Sequence, residues 1–215
     1  MLEKKQMKNK HKGHLIFLGV LLILISIGIL INKYYQRNEI QKEEVNNLVE
    51  FYEIQEEIVV EQDEVIEEVQ EEKIEVKKNV QKEPYIAVLK IDKIKLEKGI
   101  YSLNSKNNNV NKNIQLLKES DMPDVENGNM IVAGHSGNSY MAYFKNLVKL
   151  NKGDIAKVIY NGKTYNYKLA KSYEVEKTGK VALAKNKSNR TLTLITCKHN
   201  TNKQIVFVFE LENIN

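Results

Sequence analysis

One cysteine, four histidines and two prolines are all that 215 residues hold of these types, and each scarcity excludes something. The single thiol, Cys197, cannot form an intrachain disulfide and stays free in any compartment. Both prolines, Pro84 and Pro123, come late, and between Gln36 and Glu83 there is neither Pro nor Gly. Nothing in that stretch forces a helix to break. The histidines divide into His11 and His14 near the start and His135 and His199 in the second half. Acid–base chemistry around Cys197 therefore has two imidazoles to draw on.

What is present is sorted by charge. Residues 1–35 carry six Lys/Arg against one acidic side chain, residues 36–83 six against sixteen, and residues 84–215 twenty-one against eleven. A basic head, an acidic middle and a basic globular part together give the formal net charge of +5. A basic domain suits anionic surroundings such as nucleic acid, acidic polymers or a lipid surface.

From Leu15 to Ile31 the chain runs seventeen residues without a charge. As a helix this is about 25 Å at ~1.5 Å per residue, close to the hydrocarbon thickness of a bilayer, and Tyr34 and Tyr35 beyond it suit the interface. A cleaved signal peptide is the competing reading, but the run is long for its apolar region and no small-x-small cleavage site follows. Lys4, Lys5, Lys8, Lys10 and Lys12 precede the run, and the positive-inside rule places them in the cytoplasm with everything after about residue 34 outside. The expected division is a cytoplasmic tail at 1–14, a transmembrane anchor at 15–33, an acidic extracellular stalk at 34–83 and a globular domain at 84–215. In the stalk, Val45, Leu48, Tyr52, Ile58, Val65, Val69 and Val76 recur at spacings of threes, fours and sevens. That pattern permits a helix or a weak dimerising coil, and the acidic charge equally permits disorder. Either way the segment reads as an extended spacer, ~70 Å long if fully helical.

After Pro84 the pattern becomes short strands divided by turn residues. Strands are predicted at 85–91, 94–101, 130–133, 154–160, 163–169, 191–197 and 204–211, with a short helix at 113–119 and a helical turn at 140–147. Asn161-Gly162 is a type I′ hairpin signal joining two alternating runs. The sum is a small, mostly antiparallel β-barrel or sandwich.

The β-branched run Thr191-Leu192-Thr193-Leu194-Ile195-Thr196 delivers Cys197 to the end of a strand, where a rigid sheet passes into a loop. A free thiol has a pKa near 8.5, so it needs a base or a cation nearby to act as a thiolate at neutral pH. His135 follows the apolar strand 130–133 in a loop rich in Gly and Ser and is the expected partner. His199, two residues past the thiol in a polar loop, reads as solvated.

These residues carry a resemblance. Gly134-His135-Ser136 after an apolar strand, Phe144-x-x-Leu147-x-x-Leu150-x-x-Gly153-Asp154, and Thr193-Leu194-Ile195-Thr196-Cys197 near the end, in that order, resemble the sortases. These are membrane-anchored cysteine transpeptidases of Gram-positive bacteria. The resemblance covers residues 85–211. It implies an eight-stranded β-barrel with short helices, and the transmembrane helix and acidic stalk read above from the residues precede that barrel. The implied substrate is a surface protein or pilin with a Leu-Pro-x-Thr-Gly-like sorting signal, attacked by Cys197 at the Thr carbonyl to give a thioester. An amine of a peptidoglycan precursor or a pilin then resolves it. No cofactor, no metal and no nucleic acid is implied. A calcium site of the kind found in some sortases would need a carboxylate cluster; Asp121, Asp124 and Glu126 share a loop but read as solvated.

One position departs from the family. Sortases place an arginine at the start of the strand after the cysteine, and here the chain reads Lys203-Gln204-Ile205. Gln204 is the expected match by register, with Lys203 the alternative; Arg190 would lie about 23 Å away along a straight strand at ~3.3 Å per residue. Lysine offers charge without a rigid fork, and glutamine a neutral donor. Two other readings differ in class. An L,D-transpeptidase also uses Cys and His, but its cysteine stands in a Ser-x-Gly-Cys-x-Arg-like context. A catalytically weak or inactive, membrane-tethered barrel would act as a binding module.

Overall fold

The computed structural model describes residues 2–64, 83–178 and 188–215 and divides into two compact units, residues 1–46 and 47–215. The expected stalk positions Val65, Val69 and Val76 lie outside the described residues. Helix α1 (Leu2–Glu64) begins in the first unit. Among the described residues it is the one helix long and apolar enough to cross a membrane, and Phe17, Leu22, Ile23, Leu24 and Leu30 on it are all exposed. An uninterrupted apolar surface on every face of a helix calls for lipid rather than water as its solvent. This stretch is a candidate membrane anchor.

The second unit is built on one sheet of eight strands: β1 (Ala87–Ile91), β2 (Leu96–Ile100), β3 (Gln115–Leu116), β4 (Asn129–Ala133), β5 (Ile155–Tyr160), β6 (Lys163–Glu176), β7 (Thr191–Cys197) and β8 (Lys203–Ile214). The order across the sheet is β2-β1-β5-β6-β8-β7-β4-β3. All neighbours are antiparallel except β4 and β7. The sheet curls into a nearly closed barrel, mostly β as the sequence predicted. Alternation fills its interior: Ala87, Leu89 and Ile91 from β1, Leu192 and Leu194 from β7, and Phe207 and Phe209 from β8 belong to one buried cluster with Phe144, Leu147 and Tyr167. The Asn161-Gly162 turn has φ of 49° and 71° at its two central residues. Positive φ at both positions defines the type I′ turn and explains why Asn-Gly stands there.

A second, smaller cluster lies on the outer face. Val88 points away from the interior and is fully buried, beneath Phe51, Tyr85 and Tyr101, with Leu48, Tyr52 and Ile159 at its margin. Phe51 belongs to α1. Positions 48, 51, 52, 55, 58 and 59 lie on one helical face, and each makes a contact with the barrel or its margin. The Tyr52 hydroxyl donates to Glu97 Oε1 at 2.7 Å, and the Gly162 amide donates to Gln55 Oε1 at 2.5 Å. Asn47 Nδ2 reaches Tyr101 Oη at 3.4 Å. Burial, then the bond to Glu97, pushes the Tyr52 hydroxyl well above its ordinary pKa. This part of the expected spacer is helical and forms a wall of the folded unit.

Two local expectations are corrected. Residues 113–119, predicted as a short helix, contain β3 instead. The side chain of Asn108 grips Leu116 by both backbone groups, accepting from its N–H at 2.8 Å and donating to its carbonyl at 3.0 Å, and holds it extended against β4. Residues 140–147 form successive turns with bonds from Lys145 N to Ala142 O and Leu147 N to Phe144 O, ending in a 3-10 turn at Leu147–Lys149. Phe144, Leu147 and Leu150 repeat every three residues, which is the 3-10 period rather than the α period.

Candidate active site

Cys197 is the last residue of β7, partly exposed and a free thiol. His135 comes two residues after β4, and the β4–β7 ladder is parallel and ends at Ala133 opposite Ile195. The two chains stay together past that pair. Gly134 N donates to Ile195 O at 3.1 Å, Thr196 Oγ1 donates to Gly134 O at 2.8 Å, and Ser136 Oγ donates to the Cys197 carbonyl. Cys197 therefore closes one strand and His135 follows the neighbouring end of the adjacent one. A parallel pair makes this possible because both strands end at the same edge. Gly134 is the hinge of the arrangement: a Cβ there would lie 2.8 Å from the ring of Phe144, which is fully buried. Phe144 in turn donates its N–H to the His135 carbonyl at 2.9 Å.

On the other side of β7, Cys197 pairs directly with Gln204, and Gln204 with Val175 of β6. Directly opposed residues of an antiparallel pair project on the same face, so Gln204 shares the face of the thiol. Its Oε1 is buried and has no hydrogen-bond partner, an acceptor left for something else to satisfy. Lys203 projects to the opposite face. Its ammonium lies 3.7 Å from Glu174 Oε2, while Lys198 binds Glu174 Oε1. These lysines, the hydrogen bond from Lys198 first, hold the Glu174 carboxyl below the usual carboxylate range. His199 is exposed in the turn after β7. Arg190 precedes the far end of the same strand and accepts a bond from Leu211 N at 2.9 Å.

One residue at the site was not anticipated. Asn111, in the loop between β2 and β3, places Oδ1 3.2 Å from His135 Nε2. The only signal in the sequence was the density of asparagine between Asn104 and Asn113, which reads first as a polar loop. In the acidic loop, Asp121 Oδ2 accepts from the Asn129 N–H at 3.0 Å. Among the described residues no group of three His, Cys, Asp or Glu is placed to hold a metal ion.

The family model described as Sortase domain matches residues 89–212. A search of curated proteins finds no match. Among solved structures the chain is similar to a Clostridium perfringens Sortase D5 transpeptidase, with 24% identity, a TM-score of 0.53, and 63% of this chain covering 83% of that one. It is also similar to Sortase A from Corynebacterium diphtheriae in a lid mutant, with 21% identity, a TM-score of 0.56, and 63% of this chain covering 74% of that one. Sortase C-1 from Actinomyces oris gives 24% identity, a TM-score of 0.55, and 60% covering 73%. These likenesses speak for the fold, and the domain match, which takes in both His135 and Cys197 and more than half of the chain, places the protein in the sortase family.

Proposed function

We propose that this protein is a sorting transpeptidase in which Cys197 is the nucleophile and His135 its proton partner. The observation that supports the reading is the joining of the ends of β4 and β7 by bonds of Thr196, Gly134 and Ser136. The Cys197 thiolate attacks the threonine carbonyl of a Leu-Pro-x-Thr-Gly-like signal. The tetrahedral oxyanion collapses, the glycine amine leaves with a proton from the His135 imidazolium, and a thioester remains. An amine of a wall precursor or a pilin attacks the thioester and restores the thiol.

Gln204 takes the place that an arginine holds in the family and donates its side-chain amide to the oxyanion, with Lys203 occupied by Glu174 on the opposite face. The α1 anchor keeps its lysine-rich start in the cytoplasm and the barrel outside, where sorting substrates emerge.

The test is cleavage of a fluorogenic sorting-signal peptide. Cys197→Ala is expected to abolish turnover, His135→Ala to lower it by at least about 10²-fold, and His199→Ala to leave it within a few fold. Equal damage from the two histidine changes would refute the assignment.

A further inference from the structure

The hairpin turn between β5 and β6 carries a covalent reactivity of its own. In an Asn-Gly pair the glycine nitrogen attacks the asparagine side-chain carbonyl carbon: a C–N bond forms, ammonia leaves, and water opens the resulting succinimide to aspartate or isoaspartate. Glycine favours the reaction because, without a Cβ, it lets the chain close back on the amide. The sequence holds two such pairs, Asn127-Gly128 and Asn161-Gly162, and both asparagines are exposed, with φ of 55° and 49°. The nitrogen must give up its hydrogen before it attacks, so an acceptor that holds the N–H slows the first step. The two glycine amides are held in different ways. Gly128 is buried and donates to the Val125 carbonyl of its own loop at 3.1 Å. The β5–β6 hairpin closes through the flanking pair Tyr160 and Lys163, which leaves the amide of its second turn residue, Gly162, without a ladder partner. Its acceptor comes from α1: Gln55 Oε1 takes the Gly162 N–H at 2.5 Å. The same helix covers the turn, since a Cβ on Gly162 would stand 3.2 Å from Val59 and 3.3 Å from Ile58.

We propose that Asn161 is a deamidation site gated by the docking of α1. While the helix is seated, Gln55 occupies the Gly162 N–H and the reaction is held back. When the helix lifts from the outer face of β1, the N–H is released, the glycine nitrogen closes on Asn161 and ammonia is lost. Hydrolysis then leaves aspartate or isoaspartate at 161. Isoaspartate adds a methylene to the main chain, so the two-residue type I′ geometry is lost and redocking does not reverse the change. The turn thereby keeps a covalent record of how often the helix has been away. Nothing in this device depends on the chemistry at Cys197, because the turn, Gln55 and water supply every atom of the reaction.

The test ages the full-length protein in detergent micelles at mildly alkaline pH and follows both asparagines by peptide mapping with mass spectrometry, which separates asparagine from aspartate and isoaspartate. Gln55→Ala removes the acceptor and should speed conversion at Asn161 by about fivefold, the factor that one net hydrogen bond represents. Asn127, whose glycine amide is held within its own loop, should keep its rate in the same sample. Gln55→Glu, which keeps an acceptor in the same place, should convert Asn161 as slowly as the wild type. Amide hydrogen exchange at Gly162 should follow the same order, slow in the wild type and Gln55→Glu and about fivefold faster in Gln55→Ala. Equal conversion of Asn161 in the wild type and Gln55→Ala would overturn the proposal. So would an acceleration at Asn127 that matches the one at Asn161, because that marks loosening of the whole barrel, and so would a Gln55→Glu protein that ages as fast as Gln55→Ala.

Discussion

Phe51→Ala is the most informative test of how the barrel is held together. Phe51 is 3% exposed although it comes from a stretch of sequence otherwise crowded with glutamate, and it closes the cluster over Val88 with Tyr85 and Tyr101. Full burial of such a side chain is worth about 1.5–3 kcal/mol by area, and Phe→Ala in well-packed sites costs about 3–5 kcal/mol once the cavity is included. The helix packs by one face only and can lift away, so the loss is capped by what its docking contributes. We expect roughly 2–4 kcal/mol. For a unit of this size each kcal/mol moves Tm by about 2–4 °C, which gives a fall of roughly 4–16 °C. Thermal unfolding of the chain from Gln36 onward, followed by circular dichroism, measures it. Val49→Ala, two residues away and 51% exposed, should stay within about 2 °C. An unchanged Tm in Phe51→Ala would mean that the helix adds nothing to the barrel, and that residues 84–215 fold as well alone.

Two further predictions concern the site and its frame. Gln204→Ala should lower the acylation rate by at least about tenfold, as loss of an oxyanion donor does, while Lys203→Ala stays within a few fold; stopped-flow acylation with a thioester-forming peptide distinguishes the two, and the reverse ranking would move the role to Lys203. Asp154 accepts from Asn151 N and from the Lys93 ammonium, both at 2.6 Å, and Asp92 binds Lys157 at 2.8 Å. Chiefly through the Asn151 bond for Asp154 and the Lys157 bond for Asp92, both carboxyls are held below the usual range. The unfolded chain then takes up protons first as pH falls. The stability they contribute is complete above about pH 4 and is lost as pH drops through the lower folded values. Melting temperature should fall on acidification below about pH 4, and Asp154→Asn should make that part of the curve shallower.

Much of this was legible because local chemistry and the final fold agree. The Asn-Gly turn, the alternation of β5 and β6 and the apolar runs of β4 and β7 each mark their elements without help from the rest of the chain. The placing of Cys197 at the end of one strand and His135 just past the end of another was legible for the same reason, since apolar, β-branched runs lead into both. Three features were not legible, and each depends on a side-chain contact that no periodic pattern announces. Phe51 and Tyr52 look like scattered apolar residues on a solvated helix until the outer face of β1 is brought under them. Leu116 becomes a strand only because Asn108 grips it. Asn111 looks like one polar residue among many, since nothing in a one-dimensional pattern shows that its side chain meets His135. The pairing of Cys197 with Gln204 stands between these cases, because a hairpin loop of known length predicts the register that the ladder displays.

Transpeptidation through Cys197 requires a covalent acyl-enzyme, and intact-mass spectrometry measures it directly. The protein is incubated with an excess of a peptide carrying Leu-Pro-x-Thr-Gly, without an amine acceptor, and quenched in acid to keep the thioester. The expected result is a mass increase equal to the peptide cut after its threonine, located at Cys197, absent from Cys197→Ala and discharged on addition of an amine nucleophile. A thiol that is alkylated normally by iodoacetamide yet carries no acyl group from any member of a sorting-signal library would contradict it.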